Sequence, residues 1–259
     1  MADKELSVPV DGGETKFLAL RPDSDVAEAM KWNCAGAGMS AQDLIRVPTP
    51  AGGSTTWSFM NARGEEESTK EIVGALALFQ IQGTIWPSEE PEQGRSPVIV
   101  THDLMVGYRV SDDLGDLDPE VLEQARTGDR EYSWPRLAYT QYGSGRGGRG
   151  KRAKECRLMA ILREDEALPI LVTAGPGSLK SVIPFVKRIA SVGVPYFRAK
   201  IGLRLEKVMN AGGQPYSQIV PRLVDTLSKW EGDRIRDTYT IPLGRVITDV
   251  RPDISPEAE

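Results

Sequence analysis

The residue types with the clearest chemical potential lie in the segment GSGRGGRGKRAKE, residues 143–155. Within it, Gly145, Gly150 and Lys151 have the spacing of a phosphate-binding P-loop. The next residue is Arg152, so the hydroxyl that would hold Mg²⁺ is absent, and the residues that follow have the pattern of a strand rather than a helix. The segment therefore predicts a cationic loop that neutralises phosphates, with a solvated linker as the alternative interpretation.

Aromatic residues lie close to this loop in the chain. Rings beside a basic loop suit single-stranded nucleic acid, because every base offers a face for stacking and every nucleotide carries a phosphate. We predict phosphate contacts from the loop, from a helix beyond it and from a strand of alternating basic and apolar residues: Arg146, Arg149, Lys151, Arg152, Lys154, Lys180, Arg198, Lys200 and Arg204. We predict base stacking from some of Trp57, Trp86, Tyr108, Trp134, Tyr142 and Tyr196.

Few residues could support catalysis. His102 is the only histidine, and it lies far in sequence from both Cys34 and Cys156, so no nucleophile–histidine pair is indicated. The carboxylates within 112–120 lack the glycine and terminal glutamate of a Ca²⁺-binding loop, which makes an acidic loop the better interpretation. The sequence therefore predicts a protein that is not an enzyme, with no catalytic residue, no metal site and no cofactor.

Charge is strongly segregated along the 259 residues. Residues 1–135 carry 11 Lys or Arg against 24 Asp or Glu, whereas residues 136–222 carry 16 against 5. The overall net charge of −5 therefore conceals a cationic middle with a net charge of +11. Such a segment attracts a polyanion, and nucleic acid is the commonest polyanion that a soluble protein meets. No window of the sequence has the length and apolar character of a membrane span, so we expect a soluble, cytoplasmic protein.

Most of the elements that would position these residues have the pattern of strands. The apolar run Glu71–Pro87 contains Gly74 and Gly83 and predicts one long, bent strand. A further strand is predicted within 97–110, and a short helix is predicted after Pro119. The sheet is therefore expected to begin with a strongly curved strand.

The second half of the chain predicts a helix followed by a hairpin. Ser178 is a candidate helix cap, Pro184 should kink the helix or delay its regular start, and the sequence NAGGQ marks the hairpin turn. A helix placed before the final hairpin of a curved sheet is the arrangement of an oligonucleotide-binding (OB) barrel. The predicted class is mainly β (α+β), an OB-like barrel with an inserted helix and long loops. The predicted domains are a partly helical N-terminal extension at 1–45, the OB-like nucleic-acid-binding domain at 46–232 and an acidic C-terminal tail at 233–259.

Several stretches in this order resemble a family of single-stranded DNA-binding proteins that bacteriophages and integrative elements carry. They are GGSTTWSF, KEIVGALALFQIQGTIWP, YTQYGSGRGGRGK, LPILVTAGPGSLK and GVPYFRAKIGLRLEKVMNAGGQPYSQIVPRL, which together span about residues 45–225. Many relatives have clustered cysteines before the glycine loop, whereas this chain reads EYSWPRLAYTQYGS there. The resemblance implies a single-stranded DNA partner, a bacterial host cytoplasm, and replication or recombination proteins as partners of the acidic tail.

The leading hypothesis is a sequence-independent single-stranded DNA-binding protein that serves phage-type replication or recombination. One alternative is a protein-interaction module whose acidic front half is a docking surface, in which case the chain could form a homo-oligomer. The other is a metal-dependent nuclease or recombination enzyme. The sequence leaves open the preference between DNA and RNA, and the role of residues 1–45.

Overall fold

A computed structural model describes residues 15–21, 43–88, 97–210 and 212–248. The helices expected within the N-terminal extension and most of the acidic loop that follows Pro87 lie outside these residues. The strands are β1 (Arg46–Val47), β2 (Trp57–Met60), β3 (Glu66–Thr69), β4 (Glu71–Ile85), β5 (Ile99–Thr101), β6 (Val106–Arg109), β7 (Glu131–Ser133), β8 (Lys154–Leu162), β9 (Ile170–Ala174), β10 (Ala199–Met209) and β11 (Pro215–Thr226). The helices are α1 (Pro119–Ala125), α2 (Pro176–Ser191), α3 (Lys229–Ile235) and α4 (Ile241–Thr248), and a π-helical turn (Arg236–Thr240) joins α3 to α4.

The long strand β4 organises the sheet, as the sequence predicts for this run. It pairs with β10 over 71–75, with β8 over 75–84 and with β5 over 83–85. The ladder with β8 skips Ala77, which forms a bulge, and bulges bend the strand that contains them. At Gly74 a Cβ would collide with the carbonyl oxygen of Leu162, so the close approach of β8 requires glycine there.

The five strands β9–β8–β4–β10–β11 are neighbours in that order, and α2 connects β9 to β10. The molecule is thus mixed α/β and mostly sheet, which agrees with the predicted mainly-β class. The structure has no closed barrel, because β11 pairs only with β10 among the described strands. Two serines of α2 occupy the free edge instead: the Ser178 hydroxyl accepts from the Ile219 amide at 2.9 Å, and the Ser181 hydroxyl donates to the Ile219 carbonyl.

Other parts of the chain fill the gap between β9 and β11. The strand β1 adds to β9 in parallel, with Arg46 opposite Leu171. Trp57 in β2 is completely buried, and its indole nitrogen donates to the Leu203 carbonyl of β10 at 3.0 Å. A base-stacking role predicted for Trp57 is therefore not compatible with its position in the core.

Apolar clusters cover both faces of the sheet. The inner cluster lies under α2 and includes Met159 and Ile161 of β8, together with Val182 and Phe185 of the helix. The outer cluster uses the alternate residues of the same strand, such as Leu158. Successive side chains of a strand point to opposite faces, so the two clusters are separated by the backbone of the sheet.

The C-terminal helical segment, residues 229–248, covers the outer cluster. Ser228 and Glu231 form a capping box that starts α3. The buried positions Ile235, Tyr239, Leu243 and Ile247 follow at four-residue spacing and pack on β4 and β8. The structure thus differs from the acidic tail expected at 233–259: residues 233–248 are helical and packed, because this apolar stripe needs a surface to cover. Residues 249–259 lie outside the described part of the chain.

The remaining expected elements agree with the sequence analysis in type. The predicted short helix is α1, which starts at Pro119 with the Asp118 side chain as its cap. The predicted hairpin is β10–β11, whose turn is held by hydrogen bonds to the Asn210 side chain. In α2 the exposed Pro184 lies inside a continuous helix that starts at Pro176, two residues before the predicted cap.

Candidate nucleic-acid interface

Strand register brings a row of side chains onto one face of the sheet. Lys154 of β8 lies opposite Thr84 of β4, Thr84 lies opposite Val100 of β5, and Val100 lies opposite Tyr108 of β6. Directly opposed residues in antiparallel strands have their side chains on the same face. Lys154 and Tyr108, two residues selected from sequence, therefore share a surface although they are 46 positions apart.

Gln80 and Gln82 extend this row along β4. Each lies on the same face as Thr84, since side chains two residues apart in a strand point the same way. We call this surface, Gln80, Gln82, Thr84, Tyr108 and Lys154, the polar sheet face. Its first four side chains are half-buried and Lys154 is exposed. It is continuous with the outer cluster, and the C-terminal helical segment covers the half of this face that carries the outer cluster without extending over the polar sheet face.

Several polar atoms on the polar sheet face are uncommitted. The Gln80 amide nitrogen donates to the His102 carbonyl at 2.9 Å, and the Cys156 thiol contacts the Gln82 amide oxygen at 3.8 Å. Within the described part of the chain, the Gln82 amide nitrogen and the hydroxyls of Thr84 and Tyr108 have no hydrogen-bond partner. A half-buried ring with neighbouring donors and acceptors can stack on a base and bond its edge.

The glycine–arginine loop, residues 141–151, is the second component of the site. Tyr142 is 84% exposed, and Arg146 and Arg149 are exposed as well. Gly147 and Gly148 have φ values of +62° and +74°, conformations that L side chains rarely adopt. The glycines therefore shape a projecting turn that presents the two arginines and the tyrosine to solvent.

The lysines that join this loop to β8 are partly engaged. Lys151 forms an exposed ion pair with Glu155 at 3.0 Å, and the Lys154 ammonium donates to the Lys151 carbonyl at 2.8 Å. An exposed pair of this kind is worth no more than about 1 kcal/mol and is easily exchanged for a phosphate contact. Lys154 makes no ion pair with the described carboxylates.

Arg152 does not belong to this exposed set. It is 9% exposed, its guanidinium pairs with Asp116, and it donates to the carbonyls of Trp86 and Pro87 at 3.2 and 3.3 Å. These contacts fasten the base of the glycine–arginine loop to the loop before β5. Arg152 therefore holds the loop in place, and the sequence alone gave no sign of this because Asp116 lies 36 residues away.

The fold places the aromatic residues that are predicted to stack on bases in separate parts of the molecule. Trp134 is 3% exposed and packs over Gly83, where a Cβ would lie 2.5 Å from its ring. Trp86 is half-buried at the end of β4, and Tyr196 is half-buried with its ring edge against Phe197. Of the predicted stacking residues, Tyr108 and Tyr142 lie on the surfaces described above.

The basic strand predicted to extend the interface is largely neutralised by the chain itself. Lys200 pairs with Glu164 at 2.6 Å, and Arg204 pairs with Glu71 at 3.2 Å. The guanidinium of Arg198 donates to the Leu227 carbonyl at 2.9 and 3.1 Å, which fastens the chain just before α3. The phosphate contacts predicted for this strand are thus replaced by contacts within the chain, because Lys200 and Arg204 meet carboxylates of neighbouring segments.

These carboxylates form a mixed-charge cleft of about 240 Å³ beside the start of β4. Glu71 accepts from both Arg222 and Arg204, and the Arg222 hydrogen bond is the main reason that the pKa of Glu71 lies below its usual value. Arg163 pairs with Glu67 at 2.8 Å on another wall. The charges of the cleft compensate one another, so the cleft offers no net field for a phosphate.

Lys180 lies elsewhere on the molecule. It is exposed on α2, whose buried side packs on the inner cluster. The polar sheet face is on the outer side of the sheet, so the sheet separates Lys180 from Tyr108. The structure thus brings Lys154 and Tyr108 onto one face, places Tyr142, Arg146 and Arg149 together on the loop that leads into Lys154, and sets Lys180 apart.

Two buried titratable groups adjoin the residues of the polar sheet face. Burial raises the pKa of the Cys156 thiol to about 11, so the thiol stays protonated at neutral pH and is a poor nucleophile. Burial also lowers the pKa of His102, and its Nδ1 atom has no hydrogen-bond partner among the residues that the structure describes. In the described ranges, no three His, Cys, Asp or Glu side chains are placed to hold a metal ion. None of the described helices is both long and apolar enough to span a membrane.

Gln80, Gln82 and Thr84 are not among the site residues predicted from the sequence. Their signal is the alternation in FQIQGT, in which a polar residue occupies every second position of an otherwise apolar strand. A strand that is covered on both faces along its whole length would have no reason to alternate there.

Comparison of the chain with protein families, with curated proteins and with solved structures gave no match.

Proposed function

We propose that this protein binds single-stranded DNA without sequence specificity, and that it is not an enzyme. The observation that carries the proposal is the polar sheet face, on which Tyr108, Gln82 and Lys154 combine a ring, an amide nitrogen without a partner among the described residues and a cation that forms no ion pair with them. The glycine–arginine loop runs directly into Lys154 and adds Arg146, Arg149 and the exposed Tyr142. Stacking with phosphate neutralisation is the usual basis of sequence-independent single-strand binding.

We also propose that the five-stranded part of the sheet is related to the OB fold. The order β9–β8–β4–β10–β11, with a helix before the last two strands, has the connectivity of an OB barrel that has opened between its third and fifth strands. In such barrels the face of the second and third strands and the loop between the first and second strands contact nucleic acid. Lys154 begins β8, the second strand in this correspondence, and both Tyr108 and the glycine–arginine loop lie in the connection between β4 and β8, which supports the assignment.

A role in phage-type DNA replication or recombination in a bacterial cytoplasm is part of the same proposal. It rests on the resemblance described for residues 45–225. The interface that we propose is smaller than the one predicted from sequence. It omits Arg152, Arg198, Lys200 and Arg204, which the chain uses for its own contacts, and it omits the buried Trp134.

Fluorescence anisotropy with a labelled oligo-dT tests the proposal. Wild-type affinity should fall steeply as salt increases, because each neutralised phosphate of a single strand contributes about 0.7 to the slope of log K against log salt. The double variant Tyr108→Ala/Gln82→Ala should lose about 1–3 kcal/mol of binding free energy, the usual effect of removing one stacked base. The control Gln124→Ala removes an exposed amide on α1 and should bind as wild type does.

Incubation with labelled DNA and size-exclusion chromatography separate the alternative functions. Strand cleavage in Mg²⁺ or Mn²⁺ would favour the nuclease hypothesis. A protein that shows no DNA binding at low salt and elutes as a stable oligomer would favour the interaction module. Equal binding by the double variant and wild type would remove the polar sheet face from the proposal. Parallel titrations with RNA and duplex DNA measure the preference that the sequence leaves open.

A further inference from the structure

A second cationic surface lies on α2, on the opposite side of the sheet from the polar sheet face. Residues 176–191 contain no Asp or Glu, and all their charged residues, Lys180, Lys187 and Arg188, are exposed. None of the three forms an ion pair with the described part of the chain. We call these three residues the α2 basic stripe. The described carboxylates pair with Lys200 and Arg204 of β10, whereas the charges of the α2 basic stripe have no such partner among them and are available to an external anion.

The α2 basic stripe is linked to the polar sheet face around the end of β9. Pairing between β8 and β9 begins with Arg157 opposite Ala174, so the edge of β8 at residues 154–156 has no strand beside it among the described residues. An extended chain that leaves Lys154 can pass this open edge. It then reaches the other face of the sheet, where α2 starts at Pro176, two residues after Ala174.

Arg157 lies at this crossing point. Its side chain is on the inner face, with the guanidinium carbon 5.9 Å from the centre of the Phe79 ring, and it forms no ion pair within the described ranges. A guanidinium stacked on a ring keeps donors available at its edge for a phosphate. From there, Lys180 to Arg188 spans about 12 Å along the helix, at about 1.5 Å per residue.

We infer that the α2 basic stripe is a second binding segment for the same DNA strand, which continues from the polar sheet face past the open edge of β8. This inference rests on the proposed function and extends it. Short oligonucleotides would be bound by the polar sheet face and the glycine–arginine loop alone. Longer ones would also contact the stripe through their phosphates, so affinity would increase with length beyond the first site.

The test compares oligo-dT of 6 and of 30 nucleotides with wild type and the variant Lys180→Ala/Lys187→Ala/Arg188→Ala. The variant should bind the short oligonucleotide as wild type does. Its affinity for the long one should fall about tenfold, and the salt slope should decrease by about 2, from about 0.7 for each lost phosphate contact. Alanine favours helix, and the three side chains are exposed, so the variant should fold normally.

The control Lys16→Ala/Lys229→Ala/Arg234→Ala removes the same charge from exposed positions outside the two surfaces and should leave both affinities unchanged. If the stripe variant binds the long oligonucleotide with the affinity of wild type, the inference is overturned. That result would favour an acidic protein as the partner of the α2 basic stripe. Equal losses for both lengths also overturn it, because the stripe would then be part of the first site. If wild type binds neither oligonucleotide, the proposed function itself fails.

Discussion

The hydroxyl of Thr240 donates a hydrogen bond to the carbonyl of Ala77, across 163 positions of the sequence. Ala77 is the bulge residue of β4, and the ladder with β8 leaves it unpaired. The π-helical turn that precedes α4 places Thr240 over this site. This contact therefore joins the bend of the central strand to the C-terminal helical segment, which the apolar stripe also holds against the outer face of the sheet.

Replacing Thr240 by valine keeps the shape of the side chain and removes the donor. The Ala77 carbonyl would then be left without its partner, which costs about 1–3 kcal/mol for a buried group. Urea unfolding should show this loss as a lower midpoint with an unchanged slope. Thr238→Val changes an exposed residue of the same turn and should unfold like wild type. A midpoint for Thr240→Val equal to that of wild type would contradict the role of this bond.

Replacing Ser178 by alanine should loosen the attachment of α2 to β11. The Ser178 hydroxyl is the partner of the Ile219 amide, so its loss exposes that amide to exchange and costs about 1–2 kcal/mol. Hydrogen exchange followed by NMR measures the protection of Ile219 directly. In the control Ser191→Ala, a hydroxyl that bonds only within the last turn of α2 is removed, and Ile219 should stay protected. Unchanged protection in Ser178→Ala would show that the edge of β11 is covered in another way.

Arg152 and Arg149 should respond to substitution in opposite ways. Arg152→Met leaves the Trp86 and Pro87 carbonyls without a donor, so we expect a loss of about 1–3 kcal/mol in the free energy of unfolding. Arg149→Ala changes an exposed side chain and should alter stability by less than about 0.5 kcal/mol. It should instead weaken oligo-dT binding and lower the salt slope by about 0.7. Urea unfolding and anisotropy titrations on both variants measure the two effects. A larger loss of stability in Arg149→Ala than in Arg152→Met would contradict this division.

Stability should decline as the pH falls from 7 to 5, and His102 should be the main cause. Burial holds the pKa of His102 below its ordinary value of 6.5, so the unfolded chain binds a proton first and is favoured in acid. The contribution of His102 to folding stability is complete above the pKa that it has in the unfolded chain. It is lost as the pH falls towards the lower pKa of His102 in the folded chain. Glu166, whose pKa burial raises, acts in the opposite sense at lower pH.

Since His102 is the only histidine, His102→Gln tests this origin directly. Urea midpoints at pH 7.5 and pH 5.5 should differ less in the variant than in wild type, whatever the absolute stability of the variant. An equal decline in both proteins would assign the acid sensitivity to the carboxylates.

Local sequence patterns were sufficient for the elements of this fold. The glycines and the apolar run of β4, the Asp118–Pro119 start of α1 and the NAGGQ turn each specify the backbone within a few residues, and all three predictions are confirmed. The C-terminal stripe at Ile235, Tyr239, Leu243 and Ile247 was equally local, but it lies within a charged segment that was interpreted as an acidic tail.

The composition of the candidate site was only partly readable from the sequence. The glycine–arginine loop and its exposed cations follow from residue types, because glycine and charge favour solvent wherever the chain places them. Whether a cation faces solvent or a carboxylate is set by residues far away in the chain. Glu71, Glu164 and Asp116 neutralise Arg204, Lys200 and Arg152 only because the sheet brings them together.

The long strand β4, the helix before the final hairpin, the segregated charge and the glycine–arginine loop can be predicted from the sequence, since each depends on neighbours within a few positions. The tertiary structure alone decided that the sheet stays open, that Trp57 and Trp134 belong to cores, and that Lys154, Thr84 and Tyr108 share a face. Those outcomes depend on strand register and on long-range ion pairs. A shift of one residue in register would turn the polar sheet face towards the opposite side of the sheet.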